Sequence, residues 1–141
     1  MSKVVSLRLK DEQVERLRRA ARHLGRTPSE AAVLLLEEVL RQREFAFIEF
    51  RDSPVGRQAY LQGTRLPIWQ VVSLARHFDG DPGRVAAHLE IPAVQVAAAL
   101  HYAAAYPDEI EAGIADSTRP LAELRQLIPA LEVVDGDAPA P

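Results

Sequence analysis

Lys3-Val4-Val5-Ser6-Leu7-Arg8-Leu9-Lys10 alternates strictly from residue 4 onward. Val5, Leu7 and Leu9 fall on one face, and Val4, Ser6, Arg8 and Lys10 on the other. A period of two marks an extended strand. No second strand pattern follows within hairpin distance; two helical patterns follow instead. A lone strand leaves its N–H and C=O groups unpaired, which is costly if they are buried. The economical partner is the same strand from a second copy of the chain.

Downstream of the strand, Val14, Leu17, Ala21 and Leu24 recur at helical spacing, while Glu12, Glu15, Arg16, Arg18, Arg19 and Arg22 cover the opposite face. Glu12–Arg16 and Glu15–Arg19 are expected i,i+4 ion pairs, and Gly25 supplies a left-handed stop. Thr27-Pro28-Ser29-Glu30 then opens a second helix. Thr27 is the cap, Pro28 fits the first position and Glu30 completes a capping box. That helix runs to about Glu44. Ala31, Ala32, Val33, Leu34, Leu35, Leu36, Val39 and Leu40 make it apolar around more than the ~100° stripe that one packing partner needs. Burial on two sides is expected, by the first helix and by a second protomer.

In order and spacing, residues 3–44 resemble the ribbon-helix-helix (MetJ/Arc/CopG-like) DNA-binding family. The resemblance implies an obligate homodimer whose paired strands form an antiparallel ribbon in the major groove. Val4, Ser6 and Arg8 would then point at base edges, with Lys3 and Lys10 beside them. Arg8 would be the main reader, because a guanidinium can bond guanine bidentately. The N–H groups at Thr27–Ser29 would clamp a phosphate. The competing reading makes residues 3–10 a strand of a larger sheet and the capping box only a cap; most of the weight against it comes from the resemblance.

Composition sets outer bounds. The chain has 141 residues, no cysteine and a formal net charge of −3. Disulfides and thiolate metal sites are excluded, and a cytoplasmic location is the simplest expectation. Charges interrupt the first residues throughout, so no signal-peptide pattern is expected there. The longest apolar run, Ala31 to Leu36, is far short of the ~20 residues of a membrane helix. Charge is unevenly distributed: residues 1–43 hold 10 Lys+Arg against 6 Asp+Glu, and residues 44–141 hold 7 against 14. A basic head can meet nucleic acid or can be a plain solvated charge face.

The second region, residues 45–115, reads as a small helical domain with a short hairpin. Phe45–Phe50 is a β-prone run, Arg51–Gly56 a turn, and Ala59-Tyr60-Leu61 a returning strand. Leu66-Pro67 opens a helix through about Phe78. Asp81 and Pro82 cap and start a helix over 82–89, and Ile91-Pro92 restarts the chain into a helix over 93–105. Two short helices with a three-residue break have the proportions of a helix-turn-helix. Gln62-Gly63-Thr64-Arg65-Leu66-Pro67, Ala98-Ala99-Leu100-His101-Tyr102 and Tyr106-Pro107-Asp108-Glu109-Ile110 resemble a small bacterial helix-turn-helix domain. That domain is found in antitoxins of PIN-like nucleases, including some VapB-type proteins. Helix 93–105 has no Lys or Arg, which is poor equipment for phosphate contacts. Arg65 reads as bonding a carboxylate or carbonyl within the domain, with a phosphate- or carboxylate-binding role as the rival, and Trp69 reads as core.

Residues 116–141 read as a tail carrying a short amphipathic helix from Pro120, disordered after Leu131. Leu121, Leu124, Leu127, Ile128 and Leu131 are its candidate partner-binding residues, seated on the domain itself or in a partner's groove. His23, His77, His88 and His101 lack ligand spacing. No nucleophile elbow, phosphate-cradling loop or cysteine nucleophile is present, so neither catalysis nor a cofactor or metal is expected.

The expected fold is therefore mostly α: a ribbon-helix-helix head (1–44, one strand paired across a dimer, two helices), a small helix-turn-helix bundle with a β-hairpin (45–115), and a partly disordered tail (116–141). The resemblances imply the antitoxin of a type II toxin–antitoxin system. Such a protein binds operator DNA as a dimer to repress its own transcription and neutralises a PIN-like ribonuclease toxin through its C-terminal half. The alternatives are a stand-alone regulator whose second half oligomerises or senses a signal, and a protein-binding adaptor without DNA affinity. Operator sequence, toxin identity and any assembly above the dimer stay open.

Overall fold

The computed structural model describes residues 2–127. Its elements are α1 (Asp11–Leu24), α2 (Pro28–Glu44), β1 (Ile48–Ser53), β2 (Gly56–Leu61), α3 (Ile68–His77), α4 (Pro82–Leu89), α5 (Ala93–Ala105) and α6 (Pro107–Leu127). The protein is mostly α with one two-stranded antiparallel sheet. No helix among the described residues is long and apolar enough to cross a membrane.

The first two helices begin and end where their local chemistry dictates. Gln13 Oε1 accepts from the Lys10 N–H at 2.9 Å, satisfying one donor at the start of α1. Gly25 ends α1 at φ 66°, a left-handed conformation that costs glycine little. Thr27 Oγ1 accepts from the Glu30 N–H at 3.2 Å, and Pro28 occupies the first turn of α2. The capping box is altered: the Glu30 carboxylate accepts from the Thr27 hydroxyl at 2.9 Å instead of from the Thr27 N–H. The charged face of α1 also differs from expectation. Glu15 pairs with Arg18, one turn away at i+3; Glu12–Arg16 and Glu15–Arg19 do not form.

Residues 2–10 join no β-ladder within the single chain. Their backbone has no strand partner among the described residues.

The hairpin begins later and turns more tightly than its composition suggests. Ile48 pairs with Leu61, Phe50 with Ala59 and Ser53 with Gly56, leaving Pro54-Val55 as the two-residue turn. Phe45–Phe47 is not strand: Phe47 takes φ 60°, a bend that no ladder residue adopts. Ile48, Phe50, Ala59 and Leu61 share the inward face, consistent with period-two alternation.

Helices α3, α4 and α5 close the core beneath the hairpin. Leu61, Ile68, Val71, Val85, Val96 and Tyr102 are its largest fully buried side chains. Asp81 caps α4 by accepting from the Gly83 N–H at 2.9 Å and the Arg84 N–H at 3.4 Å. Glu90 turns the chain at φ 57° before Ile91-Pro92 starts α5, and the two helices pack on each other. In place of a separate tail helix, α6 runs unbroken from Pro107 to Leu127, across the expected 115/116 boundary. No left-handed residue interrupts it, and the Ser117 and Thr118 hydroxyls bond the Ile114 and Ala115 carbonyls one turn back. Pro120 thus lies inside a helix it was expected to open. Ile128 and Leu131 fall outside the described residues.

Trp69 packs against the core but remains half-buried, and its Nε1 is buried without a hydrogen-bond partner among the described residues. Its ring lies on Gly113 of α6, where a Cβ would stand 2.6 Å from Trp69 Cδ1. Alanine normally favours a helix over glycine by about 1 kcal/mol; here the clash reverses the sign. Gly113→Ala is expected to lower unfolding free energy by about 1–3 kcal/mol in urea titration, as overpacking does. Trp69→Phe, which removes the unpaired donor, is expected to cost less than that.

Candidate nucleic-acid interface

The head presents two unlike surfaces. Lys3, Val4, Ser6, Arg8 and Lys10 are all exposed, and neither the two lysines nor Arg8 forms an ion pair among the described residues. On the other face of the same segment Val5, Leu7 and Leu9 are also exposed, at 79%, 72% and 44%. The outer stripe of α2 adds a second exposed apolar surface with Val33, Leu36, Val39 and Leu40. Of the ten large hydrophobic side chains exposed among the described residues, eight fall between Val4 and Leu40. Bare apolar stripes concentrated in one region of a chain mark an interaction site.

The opposite side of α2 is covered. There Ala31 is fully buried against α1, and Glu38 is 7% exposed. Arg57 of β2 meets Glu38 with two donors, Nε at 3.1 Å and Nη2 at 2.5 Å, and its third nitrogen reaches Asp52 at 3.3 Å. Asp52 also meets His23 of α1 at 3.1 Å. One turn along α2, Arg41 donates to Glu37 (2.9 Å), the Tyr102 hydroxyl (2.8 Å) and Glu109 (2.7 Å), with its guanidinium 3.7 Å above the Tyr106 ring. The Tyr102 hydroxyl in turn donates to Glu109 Oε2 at 2.7 Å. Head and body are thus joined by two separate polar clusters on neighbouring turns of α2, one around Arg57 and one around Arg41.

Electrostatics follow from that geometry. Burial, followed by the bond to Glu109, pushes the Tyr102 hydroxyl above its ordinary value, with Arg41 opposing. Burial alone would lower the Arg41 guanidinium, but its bonds to Glu109, Glu37 and Tyr102 raise it overall. The Glu38 bond raises Arg57. A cleft of about 280 Å³ lies beside these clusters, lined in part by Leu34, Glu37, Phe50, Gln58 and Trp69. Both arginines on its wall are already bonded to carboxylates.

At the N-terminus of α2, Thr27 and Ser29 are exposed; in the first turn Pro28 has no N–H and the Glu30 N–H is taken by Thr27 Oγ1, which leaves that of Ser29. The Glu30 carboxylate lies against the Thr27 hydroxyl, with Arg26 at 3.7 Å. A phosphate docking there would share the helix end with that carboxylate. Of the candidate partner-binding residues, the backbone at Leu121, Leu124 and Leu127 is helical as part of α6. Arg65 corrects the intramolecular reading: it is exposed and bonds no carboxylate or carbonyl among the described residues, while Thr64 holds its loop through Leu61 O (2.7 Å) and the Leu66 N–H (3.0 Å). No cluster of three or more metal-ligating side chains occurs among the described residues.

Sequence reasoning missed Glu38, Arg41, Arg57, Tyr102 and Glu109. The available signal was a Glu and an Arg close to the apolar run of α2. Their partners, 19 to 68 residues away, had none. Comparison with protein families, curated proteins and solved structures finds no match.

The raised Tyr102 hydroxyl predicts a pH dependence. The unfolded chain loses this proton near pH 10, while the folded chain holds it to higher pH. The resulting stability is complete below pH 10 and is lost as pH rises above it. Denaturant midpoints of wild type should therefore fall between pH 10 and 11.5 more steeply than those of Tyr102→Phe; equal slopes would contradict the assignment.

Proposed function

We propose that this protein is the antitoxin of a type II toxin–antitoxin system: a ribbon-helix-helix dimer that binds its own operator and, through its C-terminal half, neutralises a PIN-like ribonuclease. The observation that carries the dimer is the bare apolar surface formed by Val5, Leu7, Leu9, Val33, Leu36, Val39 and Leu40. A second copy buries both the inward face of the strand and the outer stripe of α2, and it pairs the strand backbone. Burial at roughly 25 cal/mol per Å² makes such a surface a strong driver of association. Dimerisation then places two copies of Arg8, each free of internal partners, on the outward face of one ribbon.

Support for DNA as the partner comes from the positive head and from the resemblance of residues 3–44 to ribbon-helix-helix proteins. Support for the toxin comes from the resemblance of the second region to antitoxins of PIN-like nucleases, and from the acidity of residues 44–141, which suits a basic partner. α5 lacks Lys and Arg, which argues against the second region as the main DNA contact.

Leu36→Lys is expected to convert a dimer to a monomer in analytical ultracentrifugation and to abolish operator binding. Arg8→Ala should keep the dimer and lose discrimination between operator and scrambled duplex by at least tenfold; each lost bidentate contact is worth ~1–3 kcal/mol. Operator binding by Arg8→Ala equal to wild type at ~150 mM salt, where distant charges are screened, would overturn the assigned face. The toxin half is tested by co-expression. A neighbouring open reading frame that is harmless alone, and whose product does not co-purify, removes the antitoxin reading.

A further inference from the structure

The arginine face of α1 has no role in the scheme above. Arg16, Arg18, Arg19 and Arg22 crowd the middle and C-terminal end of this helix, and Arg26 follows the Gly25 stop. Arg18 and Arg26 have exposed acidic neighbours in Glu15 and Glu30, pairings worth little in water. Arg16, Arg19 and Arg22 are exposed and form no ion pair among the described residues. The other charged groups nearby are Glu12, at the far end of the helix, and Asp52, which is engaged by Arg57 and His23. No large hydrophobic side chain of α1 is exposed, so this face lacks the apolar centre of a protein–protein interface.

We infer that Arg16, Arg19 and Arg22 form a second nucleic-acid contact, reading no sequence but binding backbone phosphates that flank the segment read by the ribbon. The inference rests on the DNA-binding reading of residues 3–10. α1 follows Lys10 without an intervening residue, so the helix starts where the strand leaves the groove. Arg16 to Arg22 spans about 9 Å at 1.5 Å per residue, a length over which duplex DNA carries several charges. Unpaired guanidinium groups bind phosphate without first breaking an internal bond.

The test is the salt dependence of operator affinity, read by fluorescence anisotropy between 50 and 200 mM salt. Each phosphate contact contributes about 0.9 to the slope of log K against log salt. A dimer of the triple variant Arg16→Gln, Arg19→Gln, Arg22→Gln should lose up to about 5 from that slope, and each single variant up to about 2. The loss should be the same on operator and scrambled duplex, and the three Arg→Lys replacements should restore most of it. An unchanged slope in the single variants, with wild type still binding operator, overturns the phosphate contact and leaves the ribbon reading standing. Loss of binding to a co-purifying protein with DNA slopes unchanged overturns it in favour of an acidic protein surface. A wild-type protein that binds no duplex at all defeats the DNA-binding reading itself.

Discussion

The seating of the body against the head depends on how α2 is held from one side. Glu38 and Arg41 lie one turn apart on the side of α2 that faces the chain's own body. Arg57 of the hairpin engages the first; Tyr102 and Glu109 of α5 and α6 engage the second. A charge as buried as Glu38 is costly without a partner. The pairing therefore acts more as a constraint on geometry than as a source of stability, since buried ion pairs often gain little over apolar replacements. Loss of one partner would strand the other, and the hairpin and α6 would lose their fixed place against the head.

The consequence is a helix with two assignments. Its Ala31, Glu38 and Arg41 side is committed within the chain, while its Val33, Leu36, Val39 and Leu40 side is left bare. A second copy seated on the bare side would share α2 as a common wall with the body. Dimer, head and body would then be coupled through a single element, so that a partner on the body could bias the dimer. The charge distribution suits this division. Free cations gather on α1 and on residues 3–10 before it, whereas those of the body mostly face carboxylates of their own chain, as in Arg51–Glu49 and Arg76–Glu111.

Much of the helical framework was legible from local signals. Gly25, Thr27-Pro28, Asp81-Pro82 and Ile91-Pro92 mark helix ends through backbone conformation and capping, which depend on a few neighbouring residues. The bounds of α4 and α5 follow directly. Errors arose where a local signal was overruled. Phe45–Phe47 has strand composition, but the chain must bend there to bring the hairpin under α2, and Phe47 takes a left-handed conformation. Pro120 reads as a helix start, yet α6 arrives already formed and passes through it.

The candidate site divides in the same way. By itself, the sequence determined the alternation of residues 4–10, the excess apolar surface of α2 and the arginines of α1, because periodicity and charge are properties of short stretches. Only the tertiary structure decided which side of α2 is covered, that Arg16 and Arg19 go without the acids four residues before them, and that Arg65 has no internal partner. It alone joined Arg41 to Tyr102 and Glu109, since contacts across more than sixty residues are set by packing and leave no pattern along the chain.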